Sequence, residues 1–102
     1  GDYDCDIPYK LINETLKYIS NMKIKFNFVL FTGDIVDHHF FSDTMDKNLQ
    51  TMKEFYELLN YYFQHIKVYP CLGNHDTWPL DQLAAPSKYS NFLMDFIKKK
   101  MG

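Results

Sequence analysis

Two short motifs with side chains that could bind metal ions or move protons lie about forty residues apart in this sequence. The first is TGD at 32–34 and the second is GNHD at 73–76, and each places a glycine directly before a residue with a side-chain oxygen. Carboxylate and amide oxygens are ligands for hard cations, and a neighbouring histidine can act as a further ligand or as an acid. Such a set suits phosphoester hydrolysis assisted by two metal ions.

Glycine followed by Asp or Asn is also an ordinary turn sequence after a strand. For either motif alone, a simple turn is the better interpretation. For both motifs at equivalent ends of two consecutive strands, a shared site is the better interpretation, provided that the strands lie side by side or one strand apart.

The apolar pattern predicts the elements that position these motifs. Helical spacing begins near Ile7, with Asp6 as a candidate cap, and continues to Met22. The continuous apolar run at 28–31 is typical of a strand buried on both faces of a parallel sheet. A long amphipathic helix is predicted from about Asp43 to His65.

A second apolar run at 68–72 predicts the next strand, and the stretch at 89–97 predicts a third helix. Pro70 cannot donate a hydrogen bond, so pairing of this strand is expected on one side only, or only from Cys71 onward. The predicted order is α-β-α-β-α, an α/β fold whose βαβ unit has parallel strands. Because parallel sheets need several strands with both faces covered, residues 1–102 are predicted to be part of a larger domain.

Composition and charge exclude several classes of protein. The chain has 102 residues, of which 46% are hydrophobic and 18% aromatic, so a disordered or low-complexity chain is excluded. The formal net charge is −2, with eleven lysines and no arginine. A nucleic-acid duplex or an anionic membrane is therefore not an expected partner, and no stretch has the length of a membrane span.

The two cysteines do not form a recognisable framework. Cys71 lies in an apolar run and is expected to be a small core residue. Cys5 lies between two aspartates, which disfavour a reactive thiolate. A free thiol and a half-cystine whose partner lies outside this chain are equally compatible with its sequence context.

Several motifs resemble a known enzyme family. The segment FVLFTGD at 28–34, followed by GNHD at 73–76, resembles the two central motifs of the calcineurin-like metallophosphoesterases. More narrowly, GDYDCDIPYKLI, TGDIVDHH and VYPCLGNHDTWPLDQL resemble the acid-sphingomyelinase-like phosphodiesterases, and GNHD-x-WP-x-DQL is most similar to their nucleotide-hydrolysing branch. The resemblance implies that residues 1–102 are a partial metallophosphoesterase domain, the central βαβ portion of its sandwich.

The resemblance also implies roles for single residues. Asp34 matches the aspartate that bridges two zinc ions, and Asn74 matches the asparagine that ligates one of them. His75 matches the histidine that faces the phosphate and can protonate the leaving group, and His38 matches a further histidine at the substrate phosphate. For His38 the alternative is a polar loop residue, and His39 is expected to be a bystander.

The resemblance also concerns Asp37 and the metal ligands that this sequence lacks. In more distant phosphatases of the superfamily, an aspartate at the position of Asp37 binds the second ring nitrogen of the histidine that matches His75. The alternative for Asp37 is an acidic loop residue that contacts only solvent. The family also has an Asp-x-His pair ahead of the first helix and a later Gly-His-x-His, and neither is present in this sequence. The chain is therefore expected to supply two ligands of a dizinc site, or of a site for another divalent metal, and not the whole site.

The implied activity is that of a secreted or lysosomal zinc phosphodiesterase. Sphingomyelin at a lipid surface, nucleotides and polyphosphate are all open as substrates. Asn13 lies in an Asn-Glu-Thr glycosylation sequence, which is compatible with the secretory route. By the same resemblance Cys5 matches a half-cystine whose partner lies outside the chain. The competing hypothesis is a catalytically incomplete homologue or fragment that acts as a structural or interaction module.

Overall fold

The computed structural model describes residues 4–38, 44–82 and 88–101. Within these residues, three helices and two strands alternate in the predicted order. They are α1 (Tyr9–Ser20), β1 (Phe28–Phe31), α2 (Met45–Tyr62), β2 (Lys67–Pro70) and α3 (Lys88–Met101). The α/β class predicted from the alternation of helical and strand-like patterns is confirmed.

The two strands are neighbours in a parallel sheet. Phe28 pairs with Lys67 at one end of the ladder, and Phe31 pairs with Pro70 at the other. This arrangement confirms the predicted βαβ unit, in which α2 connects two parallel strands. Because the strands are adjacent and parallel, the residues that follow Phe31 and Pro70 emerge at the same edge of the sheet.

The second strand ends earlier than its apolar run predicts. Pro70 is its last residue, and the Cys71 N–H then donates a 2.7 Å hydrogen bond to the Phe31 carbonyl. Pairing with β1 therefore begins before Cys71 and includes Pro70. The missing N–H of Pro70 does not interrupt the ladder, because the next N–H, that of Cys71, donates to Phe31. The expectation that Cys71 is a core residue is wrong: Cys71 is exposed, since it follows the strand where the chain turns away from the sheet.

Two helix ends also differ from the prediction. Pro8 occupies the N-cap position of α1 without a side-chain hydrogen bond, so Asp6 is not the cap. The Asp6 carboxylate is instead bonded to His38. Helix α2 begins after Thr44, whose hydroxyl accepts from the Lys47 N–H, and it ends at Tyr62, before His65. The predicted start at Asp43 lies outside the described residues.

The core lies between the sheet and α2. Three of its buried apolar residues lie in α2 and one caps the C-terminus of that helix, and the others come from β2 and from the loop after β1: Met52, Tyr56, Leu59, Phe63, Val68 and Val36. Helix α1 packs against α2, and α3 packs against β2 and α2. Within these described ranges, no helix is both long and apolar enough to cross a membrane.

Strand β1 is not buried on both faces as its sequence predicts. Phe28 and Leu30 are 56% and 64% exposed, whereas Val29 and Phe31 are half-buried. Alternate side chains of a strand point to opposite faces of the sheet. The core covers one face of β1, and the described part of the chain leaves the other face open.

Candidate functional site

The loop after β1 turns through an unusual backbone conformation. Gly33 has φ 91°, and Asp34 follows with φ 59°, the left-handed region in which Asp is among the better-tolerated residues. A Cβ on Gly33 would overlap the Gly73 backbone nitrogen, so the two loops touch at their glycines. This turn leaves the Asp34 side chain exposed at the carboxyl edge of the sheet.

Gly73 has a different role from Gly33. A Cβ at this position would overlap the Asp34 carboxylate and would lie 2.5 Å from the Asp34 backbone nitrogen. The glycine is required because the carboxylate of one loop fills the space where the side chain of the other would be. The sequence predicts a sharp turn at both glycines, and at Gly73 the structure adds a close approach between two loops.

Asp76 joins the two loops. Its side chain is completely buried, and it accepts three backbone hydrogen bonds. Oδ2 accepts from the Asp34 N–H at 2.8 Å and from the Gly73 N–H at 2.9 Å, and Oδ1 accepts from the Ile35 N–H at 2.8 Å. A buried carboxylate needs such partners, and hydrogen bonds to a charged acceptor are stronger than neutral ones. Sequence reasoning gave Asp76 no role, although an acid that directly follows Asn-His is its visible sign.

The predicted site residues of the two loops come together. The His75 N–H donates to Asp34 Oδ1 at 3.1 Å, which brings the Asp34 carboxylate to the peptide bond between Asn74 and His75. Asn74 is exposed and His75 is half-buried. His75 Nδ1 is enclosed and has no hydrogen-bond partner among the described residues. Nε2 is consequently the nitrogen of this ring that is left for a substrate.

His38 lies beside His75. Their ring centroids are 4.5 Å apart with an interplanar angle of 63°. The Asp6 carboxylate binds His38 twice: Oδ1 lies 2.5 Å from His38 Nδ1, and Oδ2 accepts from the His38 N–H at 2.9 Å. The structure thus brings Asp34, Asn74, His75 and His38 to one edge, as the sequence predicts, and adds Asp6, for which the sequence predicted only a helix cap.

Asp37 is half-buried near the same edge. Asp6, Asp34 and Asp37 line a cleft of about 290 Å³ whose other walls are apolar side chains. No described residue makes a hydrogen bond to His75 Nδ1, so a contact of Asp37 with that atom is not found. The role of Asp37 in orienting His75 therefore stays a prediction. His39 lies outside the described residues.

The site contains part of a metal-binding donor set. The Asp34 carboxylate and the Asn74 amide are oxygen ligands of the kind that divalent cations take, and the missing side chain of Gly73 makes the space in which that carboxylate lies. Across residues 4–38, 44–82 and 88–101, no three His, Cys, Asp or Glu side chains form a metal-binding group. These residues fit a share of a divalent-metal site, as two of its ligands.

A buried tyrosine lies behind the loops. Burial, together with the nearby Asp76 and Cys71, raises the pKa of Tyr56 from 10.0 to about 12. Both effects disfavour the phenolate, because a charged group is poorly solvated in the core and the neighbours add negative charge.

The two residues predicted to carry modifications lie in the N-terminal third of the chain. Asn13 is half-buried in α1, and its Oδ1 accepts a 2.9 Å hydrogen bond from the Tyr62 hydroxyl. Cys5 is exposed and makes no disulfide within the described residues. Glycosylation of Asn13 and pairing of Cys5 with a residue outside the chain remain predictions.

Comparison with known proteins agrees with this geometry. The family model described as calcineurin-like phosphoesterase matches residues 5–101. The chain is 38% identical over 84 residues to the cyclic GMP-AMP phosphodiesterase SMPDL3A of Bos taurus, an alignment that covers 81% of this chain and 19% of the relative. It is 36% identical over 89 residues to the acid sphingomyelinase-like phosphodiesterase 3b of Mus musculus, covering 85% of this chain and 19% of the relative.

The chain is also similar to a sphingomyelin phosphodiesterase, at lower identity. The sphingomyelin phosphodiesterase A of Dictyostelium discoideum is 27% identical over 97 residues, an alignment that covers 95% of this chain and 16% of the relative. The chain thus spans about a fifth of the length of the curated relatives it matches. The resemblance predicted from the TGD and GNHD motifs is confirmed. The family model matches nearly the whole chain, and the chain belongs to the calcineurin-like phosphoesterase family.

Proposed function

We propose that the full-length protein is a metal-dependent phosphodiesterase, and that residues 1–102 form the central part of its catalytic domain. The observation that supports this most directly is the joining of two loops by Asp76, which holds the Asp34 carboxylate against the peptide bond between Asn74 and His75. The open face of β1, with Phe28 and Leu30 exposed, supports the view that further parts of a larger domain pack there.

Asp34 and Asn74 would hold the metal, with further ligands outside this chain. Two divalent ions, zinc by the family resemblance, would supply Lewis-acid activation of water and neutralisation of phosphate charge. Asp34 is suited to hold a cation because its carboxylate is exposed while its backbone is tied to Asp76. The ligand oxygen is therefore held in place before any metal binds.

His75 and His38 would handle the phosphate. The ring of His75 can present only Nε2, since Nδ1 is enclosed, and from there it would protonate the departing oxygen. His38 lies 4.5 Å away, centroid to centroid, close enough for both rings to contact the oxygens of one phosphate group. The chain contains no arginine, so within residues 1–102 the phosphate charge would be met by metal, histidine, lysine or backbone N–H groups.

Among substrates, we favour nucleotide phosphodiesters over sphingomyelin. The identity of 38% to the cyclic GMP-AMP phosphodiesterase, against 27% to the Dictyostelium sphingomyelin phosphodiesterase A, supports this choice. The segment GNHD-x-WP-x-DQL, which resembles the nucleotide-hydrolysing branch, points the same way.

The test uses the full-length protein, stripped of metal by a chelator and reloaded with zinc at acidic pH. Hydrolysis of bis-p-nitrophenyl phosphate reports on phosphodiesterase activity, and cyclic GMP-AMP, a nucleoside triphosphate and sphingomyelin vesicles are then compared. Activity should be lost with the metal and restored by zinc. His75→Ala should lower turnover by about 100-fold or more, as loss of a general acid does.

Matched variants separate the metal site from general damage. Asp34→Asn and Asn74→Ala should lower both zinc content and activity, whereas Asp81→Asn, at an exposed aspartate of the turn that follows GNHD, should change neither. A well-folded full-length protein without activity on any of these substrates would contradict the proposal and favour a catalytically incomplete homologue. Full activity in His75→Ala would remove the acid role of that residue.

We also propose a secreted or lysosomal location. Asn13 and Cys5 are the residues of this chain that would record passage through the secretory route. Protein secreted from cultured cells should migrate faster in gel electrophoresis after treatment with an N-glycosidase. The Asn13→Gln variant should carry one glycan fewer than the wild type. A peptide map without reduction should show Cys5 in a disulfide. A Cys5 thiol that alkylates fully without reduction would contradict that pairing.

A further inference from the structure

His38 is poorly held by packing. Its side chain is 72% exposed, and its ring lies 4.5 Å, centroid to centroid, from the ring of His75. An exposed imidazole on a loop rotates freely about its two side-chain torsions unless hydrogen bonds select one orientation. Whatever fixes the His38 ring must therefore be a polar contact.

Asp6 supplies that contact. Its Oδ1 lies 2.5 Å from His38 Nδ1, while its Oδ2 accepts from the His38 N–H at 2.9 Å. One carboxylate thus binds the main chain and the ring of the same histidine, which restrains both the loop and the side-chain torsions. These atoms belong to residues 32 positions apart in the sequence, so the contact joins the segment before α1 to the loop after β1.

The contact also decides which ring nitrogen carries a proton. A carboxylate can only accept a hydrogen bond, so His38 Nδ1 must carry the hydrogen that lies between the two residues. In histidine, the bond made by one nitrogen determines the state and direction of the other. Nε2 is thereby left for a ligand, and the Asp6 carboxylate that holds the opposite nitrogen also lines the cleft beside Asp34.

We propose that Asp6 is a positioning residue that holds the His38 imidazole, with Nδ1 bound to Asp6 and Nε2 turned to a phosphate oxygen of the substrate. This inference rests on the proposed phosphodiesterase function and extends it to a residue outside the TGD and GNHD motifs. A purely structural role of Asp6, tying two segments together, is the alternative that the experiment must separate.

Kinetics of the full-length, zinc-loaded protein on bis-p-nitrophenyl phosphate give the first measurement. Asp6→Asn should lower kcat/KM by about 10- to 100-fold, the range that is typical when the carboxylate partner of a metal-binding histidine is removed. In a His38→Ala background the same substitution should change kcat/KM by less than about twofold, because residues that act through one another are not additive. Asp6→Glu, which keeps a carboxylate, should recover part of the activity.

The second measurement does not depend on activity. Nitrogen chemical shifts of histidine side chains, with the signals of His38 identified from their loss in His38→Ala, should show a protonated Nδ1 in the wild type. Asp6→Asn should change that pattern. Asp4→Asn is the matched control, an exposed aspartate two residues earlier, and it should leave kinetics and shifts unchanged.

The outcomes separate this inference from the proposed function. An inactive wild type contradicts both. An active wild type in which Asp6→Asn behaves like Asp4→Asn, or in which Asp6→Asn is equally harmful with and without His38, overturns the positioning role alone. If Asp6→Asn lowers the unfolding temperature, the kinetics of Asp6→Glu and the chemical shifts of His38 distinguish a positioning role from a purely structural one. An unchanged Nδ1 signal in Asp6→Asn overturns the inference.

Discussion

Replacing Asp76 with asparagine should loosen the two loops that form the candidate site. Asp76 is 0% exposed, and its two oxygens accept the N–H groups of Asp34, Ile35 and Gly73. Asparagine keeps one acceptor oxygen. If that oxygen takes the place of Oδ2, the bonds to Asp34 and Gly73 remain as weaker neutral bonds, and the amide NH2 faces the N–H of Ile35, which then has no acceptor.

The cost follows from these bonds. A hydrogen bond to a charged acceptor is worth about 1.5–3 kcal/mol, a neutral one about 1 kcal/mol, and a buried donor without an acceptor costs about 1–3 kcal/mol. Removing a buried charge offsets part of the loss. We therefore expect Asp76→Asn to destabilise the closed loops by about 2–4 kcal/mol, a large effect for one substitution.

Hydrogen exchange in the full-length protein measures this locally. Backbone amides at 33–36 and 73–76 should exchange about 30- to 1,000-fold faster in Asp76→Asn, which is the expected free energy expressed as a ratio. Asp81→Asn is the control: Asp81 is exposed and has φ 60°, a conformation that asparagine also adopts. Exchange in Asp76→Asn that is no faster than in Asp81→Asn would refute the conclusion that this carboxylate joins the loops.

Three further predictions concern neighbouring residues. Gly73→Ala should lower both zinc content and stability, the latter by about 1–3 kcal/mol, because the new Cβ would overlap the Asp34 carboxylate; metal analysis and thermal unfolding measure these effects. Tyr56→Phe should lose less stability at alkaline pH than the wild type, as measured by urea unfolding. The folded state keeps the Tyr56 proton to about pH 12, whereas the unfolded state keeps it only to about pH 10. The stability that Tyr56 contributes is therefore complete below pH 10 and is lost as the pH rises to about 12. Asp37→Asn should lower turnover more than zinc content if Asp37 orients His75, whereas equal losses of both would make it part of the metal shell.

Each of these predictions has an outcome that contradicts it. Unchanged zinc content and stability in Gly73→Ala would mean that the loops do not approach closely there. Tyr18→Phe, at a tyrosine that is 70% exposed, is the control for Tyr56→Phe, and identical alkaline profiles for the two variants would contradict the raised pKa of Tyr56. Normal turnover in Asp37→Asn would leave Asp37 as a solvated loop acid.

Sequence periodicity predicts most of the fold because secondary structure depends on local spacing. The strand at 28–31 and the stretches that form α2 and α3 follow from apolar residues at characteristic intervals, and the parallel pairing follows from the long helix between the strands. Local spacing predicts the ends of helices and strands less well. Helix α2 ends at Tyr62 because the backbone leaves the helical conformation at Phe63, although the apolar spacing continues to Ile66.

The candidate site divides in the same way. The TGD and GNHD motifs alone determine the family and bring Asp34 and Asn74 to one sheet edge, because parallel neighbouring strands end together. Only the tertiary structure decides that Asp76 joins the two loops and that Asp6 binds His38. These hydrogen bonds link residues 41 or 42 and 32 positions apart, respectively, and no local pattern encodes such contacts. The sequence supplies the functional groups, and packing of distant segments determines which carboxylate holds which partner.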